Sequence, residues 1–295
     1  MARGDCLISA ATRVVGVLGW PVAHSLSPPM HNAAFREAGL DFVYVAFAVP
    51  PEQLERATAG LRALNLVGAN VTIPHKEAMA SLVDELDPLA AAGGTVNTVH
   101  HVGGRLKGYS TDGPGLLRSL AEAGVLVAGK RIALIGAGGS ARATGLAMVE
   151  AGAASLGVIN RTPERAQRLA HDLNEYARRE VACATGLDTR TAEEWVRSAE
   201  IVADSTDVGM HPRVDVPPVI PPEWIGPDQA VVDYTYNPPD TVLLRAARTR
   251  GAQTVTGIGM LVHQGALAWE LWTGQPAPVE VMRRALLEAL EAVAR

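Results

Sequence analysis

Short apolar runs alternate with segments of helical periodicity along the first part of the chain. Residues 14–18, 42–49 and 68–71 are short, mostly apolar runs, and each predicts a buried strand. Residues 29–38 and 52–64 repeat their apolar positions at the helical period, which predicts a helix after each of the first two strands. Because alternating strands and helices favour parallel pairing, this part of the chain is predicted to be an α/β domain.

The same alternation continues in the second part of the chain. Helices are predicted at residues 116–123 and 140–151, and the strands around them are expected to extend one open sheet. Helical patterns at 259–274 and 279–293 end the chain with no strand left to cover, so we expect these helices to return to the first domain. The predicted strands of this second sheet are 131–135, 155–159, 201–204, 230–234 and 253–255.

Composition restricts the class of protein. A chain of 295 residues, 48% hydrophobic and 19% charged, is typical of a soluble globular protein with room for two cores. The net charge of −5 and the pI of about 5.9 give no general attraction for nucleic acid. Cys6 and Cys183 are far apart and form no metal-ligand pattern, and no apolar run reaches membrane-spanning length. We therefore expect a cytoplasmic protein without a metal, a disulfide or a membrane partner.

A glycine-rich turn follows the run at residues 131–135. Glycines at 136 and 138 permit a tight turn and a close approach to a pyrophosphate, and small Ala141 lets the next helix pack on its strand. The strand, helix and second strand form a βαβ unit in which phosphate would meet the start of the helix. Because glycines also end ordinary strands, the turn alone does not establish a nucleotide-binding site. The candidate cofactor residues here are Gly136, Ala137, Gly138, Gly139 and Ser140.

The second strand of this unit ends in arginines, where an NAD-binding unit has an acidic residue. A guanidinium forms paired hydrogen bonds to phosphate, so Arg161 and Arg165, with the Thr162 hydroxyl, predict a clamp for the 2′-phosphate of NADP. Alternatively both arginines are solvated at a helix start, and Glu164 argues against the clamp. Arginines without an anion are unfavourable at the positive end of a helix, which favours NADP. Asn160 completes this candidate site.

Thr72 and Lys76 are candidates for chemistry in the first domain. They follow the predicted strand at 68–71, and ligands of open α/β sheets bind at the carboxyl ends of strands. Pro74 fixes the turn between them, so that both side chains can face one space. Lysine is a mobile donor suited to proton transfer. The alternative is a lysine on the first turn of a helix that simply meets water.

Other polar residues allow two interpretations each. Asp112 precedes a helix expected near Pro114, so it is either an N-cap or a carboxylate that orients a lysine and binds a substrate hydroxyl. Ser25 and Ser27 either cap a helix or face a substrate carboxylate. The remaining candidates, each either a buried structural group or a ligand contact, are Asn97, Tyr236 and Gln264.

Taken in order, eight segments of the chain resemble the shikimate dehydrogenase family, and the resemblance covers nearly the whole chain. They are Ser-Leu-Ser-Pro at 25–28, Asn-Val-Thr-x-Pro-x-Lys at 70–76, Thr-Val-Asn-Thr at 95–98, Thr-Asp at 111–112, Gly-Ala-Gly-Gly at 136–139, Asn-Arg-Thr at 160–162, Tyr-Asn-Pro at 236–238 and Gly-Met-Leu-Val-x-Gln at 259–264.

The resemblance implies NADP-dependent interconversion of shikimate and 3-dehydroshikimate, in which a hydride moves between the nicotinamide and the substrate ring. Ser25, Ser27 and Tyr236 match residues that hold the substrate carboxylate. Lys76 matches the proton-transfer residue, and with Asp112 it forms the catalytic pair. Residues implied to bind the ring hydroxyls are Thr72, Asn97, Asp112 and Gln264, and further cofactor contacts are implied for Tyr234 and Gly257.

The resemblance also implies the domain organisation. Residues 1–112 with 258–295 are expected to form an α/β substrate domain, and residues 113–257 a Rossmann-type NADP-binding domain. The partner is expected to be a small-molecule substrate, with no nucleic acid, and the chain to be a monomer or a homodimer. Two positions depart from the family pattern: Ser110 stands where asparagine is usual, and Tyr234 where an aliphatic residue is common.

Two alternatives remain open at this point. A quinate/shikimate dehydrogenase would tend to carry an acidic residue near position 161 and to favour NAD, and Arg161 argues against it. A non-catalytic NADP-binding regulator would have lost the proton-transfer pair, whereas Lys76 and Asp112 are both present.

Overall fold

The computed structural model describes residues 8–293, so Cys6 lies outside the described residues. Two compact units are present: the first holds the described residues up to Thr111 and from Val262 onward, and the second holds Asp112 to Leu261. The first elements are β1 Arg13–Gly19, α1 Ser27–Ala38, β2 Phe42–Ala48, α2 Leu54–Ala63, β3 Gly68–Val71, α3 Lys76–Ala80, β4 Glu85–Leu86, α4 Pro88–Gly93, β5 Thr98–Val102 and β6 Arg105–Tyr109.

The remaining elements begin at the division between the units. They are α5 Asp112–Glu122, β7 Arg131–Ile135, α6 Gly139–Glu150, β8 Ser155–Asn160, α7 Pro163–Ala177, β9 Ala182–Gly186, α8 Arg190–Ser198, β10 Ile201–Asp204, β11 Ala230–Asp233, α9 Val242–Thr249, β12 Gln253–Val255, α10 Gly257–Thr273 and α11 Val279–Val293.

The first unit contains a mixed sheet of six strands in the order β2-β1-β3-β5-β6-β4. Strands β1, β2 and β3 are parallel, as the alternation of strands and helices predicts. The next strands were not predicted from the sequence, and β5 runs antiparallel to both β3 and β6. Strands β5 and β6 form a hairpin, and the φ angles of 59° and 79° in its two-residue turn Gly103-Gly104 suit such a tight connection.

The two C-terminal helices pack on the first unit. Helix α1 contacts α11, and the ring of Phe35 on α1 stacks on Trp269 of α10 at a centroid distance of 4.6 Å. Trp272 also donates its indole N–H to the carbonyl of Val99 on β5, at 3.0 Å. The prediction that these helices return to the first domain is confirmed.

The second unit contains six parallel strands in the order β12-β11-β10-β7-β8-β9. This order is that of a doubly wound dinucleotide-binding fold, and the winding reverses between β7 and β10. Ligands of such sheets bind outside the carboxyl ends of the strands at that reversal. The predicted α/β fold with a Rossmann-type second domain is confirmed.

Most predicted elements lie within a few residues of the observed ones, and one boundary matters for the site. Helix α5 begins at Asp112, whereas the sequence pattern predicts its start near residues 114–116. Asp112 is therefore the first residue of α5. Among the helices of residues 8–293, none is long and apolar enough to cross a bilayer.

Candidate active site

The loop after β1 brings Ser25 and Ser27 together at the start of α1. The Ser25 hydroxyl accepts a hydrogen bond from the backbone N–H of Ser27, at 3.3 Å. Ser27 is 9% exposed and is the first residue of the helix, which has no acidic side chain in its first turn. Because the first N–H groups of a helix attract an anion, two hydroxyls at this place suit a carboxylate.

Thr72 and Lys76 follow β3 at the same edge of the sheet. Leu18 and Val71 are aligned on the parallel strands β1 and β3, and the Thr72 N–H donates to the Leu18 carbonyl at 2.9 Å. Gly19 allows Thr72 to lie this close to the end of β1, since a Cβ at position 19 would be 2.4 Å from the Thr72 methyl carbon. Sequence reasoning missed Gly19, although a glycine at the end of a strand is a recognisable signal.

Asn97 lies at this edge because β5 runs antiparallel to β3. Its neighbour Thr98 is aligned with Asn70 on β3, and the Val96 N–H donates to the carbonyl of Lys76 at 2.8 Å. Asn97 is 4% exposed and donates through Nδ2 to Oε1 of Gln264 on α10, at 3.4 Å. The candidates after β1, after β3 and before β5 therefore collect at one edge of the first sheet, and α10 adds Gln264.

Asp112 belongs to the second unit, where it is 7% exposed at the start of α5. The next residue, Gly113, lets α5 lie close to α6, because a Cβ there would be 2.5 Å from the carbonyl oxygen of Ala143. Ser110, one of the two departures, is also buried, and its N–H donates to an Asp87 carboxylate oxygen at 3.3 Å.

The glycine turn lies at the carboxyl end of β7. Gly136 has a φ of 102°, and a Cβ there would lie 2.4 Å from the hydroxyl of Ser205. At Gly138 and Gly139, by contrast, nothing lies within 4 Å of the place that a Cβ would take. The space before the start of α6 is thus open to a ligand, and its first N–H groups suit a pyrophosphate. Ala141 is fully buried, as close packing of α6 requires.

The residues of the expected 2′-phosphate clamp follow β8. The Asn160 side chain donates to the carbonyl of Thr162, at 2.9 Å, which shapes the turn into α7. Arg161, Thr162 and Arg165 are exposed around the start of that helix, and the Arg165 N–H donates to the Thr162 carbonyl at 3.1 Å. The guanidinium groups are accessible to a phosphate from solvent.

Tyr234 and Gly257 meet beyond the end of β11. A Cβ on Gly257 would lie 2.4 Å from the carbonyl oxygen of Tyr234, so only glycine permits this approach at the start of α10. The Tyr234 hydroxyl donates to Thr144 on α6 at 2.9 Å, and burial raises the pKa of the phenol. Burial also raises the pKa of Tyr236, which is partly buried two residues further on.

Two buried carboxyl groups at the ends of β10 and β11 were missed by sequence reasoning. Asp204 and Asp233 are aligned on these parallel strands and are 2% and 1% exposed. Burial and the charge of Asp233 raise the pKa of Asp204 to about 7. Burial also raises the pKa of Asp233, against the effect of hydrogen bonds from Thr241 and Thr235. Aspartates that end apolar strands of adjacent βα units are the signal that was available.

The fold and these sites define a two-domain α/β protein with a dinucleotide-binding unit and a separate polar site on a mixed sheet. The model of the shikimate dehydrogenase substrate binding domain matches residues 17–99, and that of shikimate / quinate 5-dehydrogenase matches 119–208. The shikimate 5'-dehydrogenase C-terminal domain matches residues 257–287. A Methanopyrus kandleri relative, named shikimate dehydrogenase (NADP(+)), is 51% identical over 96% of this chain and 98% of its own length. This chain belongs to the shikimate dehydrogenase family, and the predicted resemblance is confirmed.

Solved structures show the same similarity. Shikimate 5-dehydrogenase from Thermus thermophilus, in complex with NADP(H) and shikimate, has a TM-score of 0.85 and 37% identity over 94% of this chain and 100% of its own. Quinate dehydrogenase from Corynebacterium glutamicum, in complex with NAD, has a TM-score of 0.87 and 30% identity over 94% of this chain and 99% of its own. The fold is therefore shared by enzymes with different substrates and cofactors, and the choice between them depends on the site residues.

Proposed function

We propose that this protein is an NADP-dependent shikimate dehydrogenase, which reversibly reduces 3-dehydroshikimate to shikimate in the chorismate pathway of aromatic amino acid biosynthesis. The observation that carries the proposal is the collection of polar candidates at one edge of the first sheet, with the Asn97 amide 3.4 Å from that of Gln264. A polyhydroxylated carboxylate needs such a mixture of hydroxyl, amide and lysine groups. The family membership of the chain supports the same substrate.

The substrate carboxylate is assigned to Ser25 and Ser27, with help from Tyr236. The two hydroxyls donate hydrogen bonds, and the start of α1 adds the partial positive charge of its free N–H groups. The ring hydroxyls are assigned to the amide and hydroxyl side chains at the sheet edge and to a carboxylate. These residues are Thr72, Asn97, Asp112 and Gln264.

Lys76 is assigned the proton transfer. When bound, the cofactor would supply the redox chemistry: NADP+ would be the hydride acceptor for the substrate carbon, and NADPH the hydride donor in the reverse direction. The hydroxyl on that carbon must lose its proton as it becomes a carbonyl, and the neutral amine of Lys76 takes that proton; in the reductive direction the ammonium donates it. Asp112 is assigned to orient the amine and a neighbouring hydroxyl.

The dinucleotide is assigned to the second unit. The open space before α6 accepts the pyrophosphate, with Gly136, Ala137, Gly138, Gly139 and Ser140 around it. Arg161 and Arg165 bind the 2′-phosphate with Asn160 and Thr162, and Tyr234 with Gly257 lies at the nicotinamide end. The functional domains are proposed as 1–112 with 258–295 for substrate and 113–257 for NADP, in a cytoplasmic monomer or homodimer.

The test is a comparison of initial rates with shikimate and quinate, each with NADP+ and NAD+. We expect the highest kcat/KM for shikimate with NADP+, because Arg161 and Arg165 stand where an NAD-binding unit has an acid. A quinate rate equal to the shikimate rate, or a clear preference for NAD+, would support the quinate/shikimate dehydrogenase alternative instead. No turnover of either substrate would support the non-catalytic regulator.

A further inference from the structure

A buried hydrogen-bond network lies behind Asn97 in the first unit. Its side chains come from strands β2, β3 and β5, from Asn97 just before β5 and from the segment after β6, and each is almost completely shielded from solvent. Every polar atom of such a network needs a partner, because an unpaired buried donor or acceptor is costly. The five residues and their exposed fractions are Tyr44 1%, Asn70 6%, Asn97 4%, Thr98 0% and Thr111 4%.

The orientation of the Asn97 amide follows from its partners. The backbone N–H of Thr111 can only donate, so the Asn97 atom that it meets at 2.7 Å must be the oxygen Oδ1. Nδ2 therefore lies on the other side, where it donates to the Thr111 hydroxyl at 2.8 Å and to Oε1 of Gln264 at 3.4 Å. Because Gln264 accepts here, its own amide nitrogen is turned away from Asn97.

The orientation of the Asn70 amide follows in the same way. Its Nδ2 lies 3.3 Å from the carbonyl oxygen of Asn97, which can only accept. The Oδ1 of Asn70 therefore faces the Tyr44 hydroxyl, which donates to it at 2.7 Å. The same Nδ2 donates to the Thr98 hydroxyl at 2.9 Å.

Thr98 joins these two fixed amides. Its hydroxyl lies 3.1 Å from that of Thr111, and one of the two donates to the other. Asn70 thus donates hydrogen bonds to the Thr98 hydroxyl and to the backbone carbonyl of Asn97. The Thr98 hydroxyl in turn contacts the Thr111 hydroxyl, which accepts a hydrogen bond from the Asn97 amide. Neither Asn70 nor Thr98 belongs to the residues assigned to the substrate.

We propose that Asn70 and Thr98 are positioning residues that fix the amide of Asn97, and through it that of Gln264, in the orientation used to bind the substrate ring. This inference rests on the proposed function. A binding side chain locked by a satisfied network loses little freedom when the substrate arrives, so substrate affinity depends on residues behind the site.

The direct test is Thr98→Val, which removes the hydroxyl but keeps the shape and the β-branch favoured in a strand. We expect the KM for shikimate to rise about fivefold, the size of one lost hydrogen bond, while the KM for NADP+ stays unchanged. The matched control is Thr58→Val. Thr58 is a 2% exposed threonine of the same unit, its hydroxyl donates to the Leu54 carbonyl, and its variant should keep the wild-type KM.

Two further variants separate positioning from simple packing. Thr98→Ser keeps the hydroxyl and should keep a shikimate KM near that of the wild type. In an Asn97→Ala background, Thr98→Val should raise this KM little further, because the side chain through which it acts is gone. If Thr98→Val does not fold, Thr98→Ser against Thr98→Ala makes the same comparison.

These measurements distinguish a failure of the proposed function from a failure of the positioning role. Absence of shikimate turnover by the wild-type protein would overturn the proposed function and this inference with it. With an active wild type, an unchanged shikimate KM in Thr98→Val overturns the positioning role alone. A KM raised equally by valine and serine, or full additivity with Asn97→Ala, overturns it too, because the hydroxyl would then not act through Asn97.

Discussion

At the scale of single residues, the site combines side chains that the sequence could name with contacts that it could not. The spacing after β3 predicts Thr72 and Lys76, because both follow one strand. The hydrogen bond between Asn97 and Gln264 joins residues 167 positions apart, and no local pattern contains it. Only the antiparallel β5 and the returning helix α10 bring those two amides together.

Lys76 carries the first prediction. Lys76→Ala should lower kcat by about 100- to 10,000-fold with a modest change in the KM for shikimate, because it removes the proton-transfer group. Steady-state kinetics with shikimate and NADP+ measure both constants. Lys107→Ala is the control: Lys107 lies on β6 of the same unit with its ammonium 5.4 Å from the centre of the Tyr109 ring, and this variant should keep the wild-type kcat. An unchanged kcat in Lys76→Ala would remove Lys76 from the mechanism.

Arg161 carries the second prediction. Arg161→Ala should raise the KM for NADP+ by about tenfold and leave that for NAD+ nearly unchanged, because only NADP+ has the 2′-phosphate that a guanidinium binds. Arg168→Ala provides the control, since Arg168 is an exposed arginine on α7, the helix that follows Arg161. Equal effects of Arg161→Ala on the two cofactors would show that no 2′-phosphate is bound there.

At the scale of elements, the sequence predicts the parallel strands well and the antiparallel ones poorly. Strands β3, β7, β10 and β12 have the predicted bounds. Strands β7 and β10 are mostly apolar runs, whereas β12 contains the polar residues Gln253 and Thr254. The hairpin of β5 and β6 was not predicted, since histidines and basic residues interrupt its apolar positions. The Gly103-Gly104 pair was the available signal, and it shows only when both flanking segments are treated as strands.

The third prediction is that two glycines of the turn have different roles, one in the stability of the fold and the other in cofactor binding. Gly136→Ala should lower the free energy of unfolding by about 1 to 3 kcal/mol, because its positive φ and the Ser205 hydroxyl leave no room for a Cβ. Gly138→Ala should leave that free energy within about 1 kcal/mol of the wild type, since its φ is −90° and its surroundings are open.

Cofactor binding should respond to these two variants in the opposite way to stability. The methyl group of Gly138→Ala enters the space proposed for the pyrophosphate, so this variant should weaken NADP+ while its urea unfolding curve stays near that of the wild type. Urea unfolding and NADP+ titration by fluorescence measure the two effects. A Gly138→Ala protein with wild-type NADP+ affinity would place the pyrophosphate elsewhere.

At the scale of the whole molecule, the order of strands in a sheet brings together residues that are far apart in the sequence. In the second unit the buried pair Asp204 and Asp233 arises only because β10 and β11 are neighbours in the sheet. Twenty-nine positions separate the two aspartates, so only the strand order puts their charges side by side. The pair therefore links the stability of the folded chain to pH, which composition and net charge do not reveal.

The fourth prediction concerns this dependence on pH. The pKa of Asp204 rises from 3.8 to about 7 in the folded chain, chiefly through burial and then through the charge of Asp233. The folded chain thus binds this proton more tightly than the unfolded chain does. The stability that the proton contributes is complete below about pH 4 and is lost as the pH rises through about 7.

Asp204→Asn tests that link, because asparagine can still accept the hydrogen bond that the Thr206 N–H donates to Oδ1 but has no proton to lose. Between pH 5 and pH 8 the free energy of unfolding should fall less in this variant than in the wild type, by about 1 to 3 kcal/mol. Urea unfolding at several pH values measures the slope of the free energy of unfolding against pH. Asp228→Asn, which changes an exposed aspartate, should leave that slope as in the wild type. If Asp204→Asn keeps the full wild-type slope, the proton is held elsewhere, and the same series on Asp233→Asn would then show whether the partner carboxyl holds it.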